Sequence, residues 1–151
     1  MNHKLLTSCI AVVLGAGAGY ALDAFAQAKP EVLVKQRQAA MTLIGKYWGP
    51  LAGMMQGKAP YDAAVVARNA GYLDALSHMP WDGFQASTKD EKNTKALPAI
   101  YDDAAKFKEA QDRLQGAVGK LVAAKDEGSF KAAAGEVGKA CGGCHENFRA
   151  K

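Results

Sequence analysis

With 151 residues the chain has room for one domain with a real core and is too short for two of ordinary size. Apolar residues make up 49% of it and Gly and Pro are not concentrated in a repeat, which excludes disordered and fibrous classes and favours a helix-rich globule. The formal charge of +4 is mild, and no dense Lys/Arg block interleaves with aromatics, so no nucleic-acid partner is expected.

The first segment reads as a secretory signal peptide: Lys4 supplies a positive start, Leu5 to Leu22 is mostly apolar or small, and Ala24-Phe25-Ala26 offers a small-x-small cleavage site. The apolar run is short and rich in Gly for a spanning anchor, so no membrane attachment is expected after cleavage. Ala26-Gln27-Ala28 is an equally shaped site, which leaves the mature start open between Gln27 and Lys29. Residues 1–26 are therefore set aside as a cleaved leader and 27–151 as the folded domain, exported to the periplasm. Cys9 follows Leu6-Thr7-Ser8, a loose likeness to a lipoprotein box, but too little apolar sequence precedes it.

Four helical stretches follow. The first spans about Glu31 to Gln56, with Val34, Met41, Ile44, Leu51 and Met55 at helical spacings and a kink or break expected at Gly49-Pro50. Asp62 is placed to cap a second helix from Ala63 to about Met79, which Pro80 stops and whose buried stripe is Val66, Ala70, Leu73 and Leu76. Residues 81–97 form a polar connection, and its charge run at 88–95 reads as a solvated loop rather than a partner-docking surface. Pro98 suits the first turn of a third helix, continuing through Phe107, Leu114 and Leu121 to about Ala124. Glu127-Gly128 interrupts the chain, Ser129 can cap, and a fourth helix runs from about Phe130 to Arg149 with Ala133, Val137 and Ala140 inward. The expected fold is all-α, an antiparallel four-helix bundle.

The chemistry lies on the last helix. Cys141 and Cys144 are three apart and His145 is four from Cys141, so all three can face one ligand. Cys141-Gly142-Gly143-Cys144-His145 is the pattern of covalent haem c attachment, each thiol adding to one porphyrin vinyl and the imidazole reaching the iron. A disulfide across the pair is the competing reading in an oxidising compartment. A thioredoxin-like pair lacks its βαβ context, and zinc lacks a second Cys/His pair.

The whole of 27–151 resembles the class II c-type cytochromes, the cytochrome c prime family, through four segments. They are Val34-Lys35-Gln36-Arg37-Gln38-Ala39-Ala40, Gly57-Lys58-Ala59-Pro60-Tyr61-Asp62-Ala63-Ala64, Leu76-Ser77-His78-Met79-Pro80-Trp81 and Gly138 to Arg149 around the attachment pattern. The resemblance implies one covalent haem c per chain, carried on the last helix of the bundle, with His145 as proximal iron ligand. It also implies Arg37 and Gln38 near a haem propionate, Met41 facing the iron on the distal side, Trp81 and Phe84 walling the pocket, and Arg149 beside the proximal imidazole. Without it, Arg37 and Arg149 would read as surface charges, and Met41, Trp81 and Phe84 as core packing.

Two states of the iron follow for Met41. As an apolar plug it leaves five ligands and a site for nitric oxide or carbon monoxide; as a thioether ligand it makes a six-coordinate electron-transfer cytochrome. Met54, Met55 and Met79 are assigned to packing and His78 to a helix end near solvent. Nothing resembles an acid-base pair or nucleophile, so the expected role is electron transport or gas binding without substrate turnover. A homodimer through the first two helices is implied by the resemblance; the redox partner is left unnamed.

Overall fold

The computed structural model describes residues 28–151; residues 1–27, which hold the expected leader, Cys9 and the expected start at Gln27, lie outside the described residues. Among the described residues five α-helices follow one another: α1 (Pro30–Met55), α2 (Ala63–Ser77), α3 (Ala99–Asp102), α4 (Ala104–Ala123) and α5 (Glu127–Phe148). The long helices α1, α2, α4 and α5 form the bundle, with α1 against α2, α2 against α4, α4 against α5, and α1 closing onto α5. Two 3-10 turns, Trp81–Phe84 and Ala86–Thr88, pack on α1.

Each helix starts and stops for a local reason. Pro30 occupies the first turn of α1, where its missing N–H costs nothing. Gly57 ends α1 in the left-handed region, at φ 71°, which lets the Gly57 N–H donate to the Met54 carbonyl and the Lys58 N–H to the Gly53 carbonyl. Asp62 caps α2 by accepting from the Ala64 and Val65 N–H groups.

Three boundaries depart from expectation. Of the kink or break expected at Gly49-Pro50, the break does not occur: α1 runs through Pro50, which lies exposed with Gly49 and has no N–H to donate. The third helix is divided in two, because Asp103 leaves helical geometry and its carboxylate accepts from the Lys106 N–H, offering the backbone an alternative to continuation. The last helix begins earlier than Ser129. Asp126 is its cap, Ser129 is the reciprocal partner in a capping box, and Glu127-Gly128 belongs to the first turn.

Two apolar clusters fill the bundle. The larger contains Leu51, Leu73, Val118, Leu121, Phe130 and Val137, all nearly inaccessible. Each such burial contributes about 1.5–3 kcal/mol before conformational entropy is charged against it. The smaller joins Ile100, Phe107, Ala110 and Phe148. Half-buried Trp81 packs against both, Cys141 packs on the larger and Cys144 on the smaller, so the two thiols sit at the seam between the clusters. Met54 is buried and Met55 half-buried, as expected, whereas Met79 is 57% exposed: it follows the last turn of α2, beyond the reach of the core.

The Ser129 N–H and hydroxyl hold the Asp126 carboxyl below its ordinary value. A folded-state value below the unfolded one means that the cap stabilises above the unfolded pKa and is lost as pH falls through the lowered one. Asp126→Ala therefore lowers the thermal midpoint near neutral pH and converges on the parent in acid, whereas Asp126→Asn, which keeps a capping oxygen but does not titrate, starts closer to the parent and shifts against it by the same amount. Melting curves across the acid range check this, and a gap between parent and Asp126→Ala that is constant with pH would refute it.

Candidate functional site

Helical spacing assembles the site from three directions. Cys141, Cys144 and His145 share a face of α5, Arg37, Met41, Ile44 and Trp48 a face of α1, and Phe107, Ala110 and Leu114 a face of α4. Trp81 and Phe84 enter from the first 3-10 turn. Together these faces line one cavity of about 740 Å³, inside the ~300–1,000 Å³ range of cofactor clefts. All nine residues singled out from the sequence (Cys141, Cys144, His145, Arg37, Gln38, Met41, Trp81, Phe84 and Arg149) line this cavity. His78, the C-cap of α2, is exposed and is not among its lining residues.

The floor is anchored by the chain's end. The Leu97 N–H donates to the Phe148 carbonyl and the Ala150 N–H to the Lys95 carbonyl, around a single bridge between Ala96 and Arg149. This fastens the last turn of α5 to the connection before α3. Trp81 is fixed by its indole N–H donating to the Ser77 carbonyl at 2.7 Å and by edge-to-face contact with Phe107. Phe107 in turn meets Phe84 and Phe148 edge-on.

Burial sets the protonation of all three side chains. Cys141 and Cys144 are not joined to each other. Burial pushes both thiols up, aided at Cys141 by the neighbouring Cys144 and opposed at Cys144 by Arg113. Burial, with the Arg149 charge in second place, pushes the His145 imidazole down and favours the neutral form, the one that ligates metal. Among the described residues no group of three or more His, Cys, Asp or Glu could hold a bare metal ion.

Arg37 is the largest departure from a bland reading of the sequence. It is not a surface charge: it is only 3% exposed. One terminal nitrogen donates to the Gly83 carbonyl and to Thr88 Oγ1, the other to Thr94 Oγ1 at 2.8 Å, and the guanidinium lies 4.4 Å over the Phe84 ring. Among the described ion pairs none includes Arg37. Gln38 reaches the same connection, its amide donating to the Asn93 carbonyl. The charge run at 88–95 is accordingly only partly solvated, since Thr88 is fully buried and Thr94 half-buried. Sequence reading missed these two hydroxyls, together with Trp48 and Phe148 as lining residues. The signals available were the helical register of Trp48 with Met41 and of Phe148 with Cys144; the threonines left none.

A thiol pair and a neutral imidazole on one helix face, opening into an aromatic cleft with a basic rim, fit covalent haem. Such a site on the last helix of a four-helix bundle defines a bundle-type c-type cytochrome. The sequence model of the family "Cytochrome C'" matches residues 32–149. Cytochrome c' of Rubrivivax gelatinosus is 46% identical over 126 residues, covering 82% of this chain and 98% of the relative. Its crystal structure superposes with a TM-score of 0.78 at 44% identity, over 82% of this chain and 98% of that one. A nitric oxide complex of a leucine-to-isoleucine variant of cytochrome c' from Alcaligenes xylosoxidans superposes at 0.74 and 41% identity, with the same coverage. The chain belongs to the cytochrome c' family, and it carries covalently bound haem c, one per chain.

Gly83 sits where α1 and the 3-10 turn touch: an added Cβ would come within 2.6 Å of Arg37 Cβ and 2.8 Å of the Leu33 carbonyl oxygen. Gly83→Ala is expected to destabilise by about 1–3 kcal/mol, as overpacking does, and to loosen Arg37. Denaturant unfolding of the haem-loaded protein measures this, and an unchanged midpoint would show that the turn shifts freely.

Proposed function

We propose that the protein is an exported, periplasmic single-electron carrier that also binds small uncharged gases, nitric oxide or carbon monoxide, and turns over no substrate. What carries this reading is the convergence of all nine sequence-selected residues on one cavity whose α1 wall offers Met41, Ile44 and Trp48. None of these three side chains can trade a proton as a peroxidase's distal histidine would. Bound there, the haem supplies one-electron redox chemistry and an iron site for a diatomic ligand.

The chain's own residues have distinct tasks. Cys141 and Cys144 give the thioether links, which prevent loss of the group from an exported protein. His145 would be the proximal ligand, its imidazole kept neutral by burial first and by the charge of Arg149, one turn on, second. Arg37 and Gln38 hold a propionate. Met41 plugs the distal side, with Trp81 and Phe84 excluding water from the wall. The nitric oxide complex described for the Alcaligenes relative supports the gas-binding half of this reading.

On addition of carbon monoxide or nitric oxide the reduced protein is expected to change from a high-spin to a gas-bound absorption spectrum. A sharp low-spin spectrum indifferent to gas, and abolished by Met41→Ala, would instead establish the six-coordinate reading with Met41 as second axial ligand.

The mature domain of this reading is 27–151, released by cleavage of 1–26, and no described helix is long and apolar enough to cross a membrane. It further includes a homodimer through α1 and α2, supported by the exposed Val32 and Leu43 on one helix and Tyr72 on the other. Light scattering should give twice the haem-loaded chain mass at micromolar concentration, with Leu43→Glu shifting it to one chain. A single-chain mass for the parent would overturn this part.

A further inference from the structure

We propose that Thr88, backed by Tyr101 and helped by Thr94, is the positioning residue that holds the Arg37 charge against the haem cavity and thereby raises the reduction potential of the bound haem. The proposal rests on the placement of Arg37 beside a propionate given above and goes beyond it, to what keeps a cation there.

The hydrogen-bond arithmetic at Thr88 is closed. A hydroxyl has one proton and two acceptor sites. Arg37 can only donate to Thr88 Oγ1, at 2.9 Å, and the carbonyls of Gln85, at 2.8 Å, and Gly83, at 3.3 Å, can only accept its one proton. The Tyr101 hydroxyl, also 2.8 Å away, is therefore the second donor. Thr88 is fully buried, so no water competes for any of these positions. The arrangement runs through the fold: α1 supplies the cation, the segment before α3 the threonine, and α3 the phenol that fixes the threonine's lone pairs.

At Arg37 the sum is open. Of its five N–H groups, three donate to Gly83, Thr88 and Thr94, which leaves two for an acceptor in the cavity it lines. No carboxylate among the described residues forms an ion pair with it. A cation held close in a low-dielectric cleft favours the state with one more electron. Removing the Thr88 hydroxyl leaves a buried N–H without its acceptor, and the guanidinium is no longer held in one position against the cavity.

The test is a double-mutant cycle on the reduction potential of the haem-loaded protein, read by spectroelectrochemistry. Thr88→Val, nearly isosteric, is expected to lower the potential by a three- to tenfold change in the one-electron equilibrium, the upper end being about 59 mV. Thr88→Ser should restore it. Arg37→Gln should lower it at least as far, and Thr88→Val should then add nothing. Tyr101→Phe, at a half-buried position, gives a second measurement should Thr88→Val fail to fold: a smaller fall, again absent without Arg37.

An unchanged potential in Thr88→Val, with Arg37→Gln lowered, overturns the positioning role and leaves the Arg37 placement standing. An unchanged potential in Arg37→Gln overturns both. A fall in Thr88→Val that is the same with or without Arg37 shows that Thr88 acts by another route, and also overturns the proposal.

Discussion

A guanidinium does not leave water without acceptors, and Arg37 leaves it almost completely. The effective cost of burying an unpaired ion is several kcal/mol, so the polypeptide around it has to be built to receive it. The connection between α2 and α3 is so built. Gly83 brings a carbonyl against the helix where no side chain would fit, Thr88 and Thr94 present hydroxyls, and Phe84 offers its ring face. This connection then has no freedom to be an ordinary solvated loop, and the two aromatic rings it carries into the cavity, Trp81 and Phe84, are fixed as a consequence.

The rest of the site follows from rigid helix registers. On α5 the spacings of three and four that bring Cys141, Cys144 and His145 to one face also bring Phe148 there, and Phe148 ties that face to Phe107 on α4. On α1 the same spacing carries Arg37 to Met41, Ile44 and Trp48, so the charged end and the apolar distal wall are parts of one stripe. The larger apolar cluster adjoins this cavity, sharing Leu114, Trp48 and Cys141 with its lining, and brings in α2, none of whose residues line the cleft, to hold the helices in register.

Much of the site was legible in the sequence because it is local. The attachment pattern, the cap at Asp62 and the stop at Pro80 each depend on residues within one or two turns. Local signals also misled where two competed. Ser129 is a good capping residue, yet Asp126 three positions earlier captured its N–H and hydroxyl and moved the helix start. Asp103 interrupted a periodic apolar stripe that read as continuous, because an Asp side chain competes for the backbone N–H groups that a helix start exposes. Pro50 had the opposite fate: its strong local veto was outweighed by the packing of α1 on both sides of it, through Leu51 and Met54 beyond and Val34 and Ala40 before.

By itself the sequence determined that a haem would be held covalently near the end of the last of a set of amphipathic helices, since helix geometry alone places two thiols and an imidazole on one face. Only the tertiary structure decided that Arg37 is buried, that Thr88 and Thr94 receive it, and that Gly83 must be glycine. Those contacts join residues 46, 51 and 57 positions apart. No periodicity or composition connects such positions; they meet because α1 and the segment after α2 are packed together by cores neither of them contains alone.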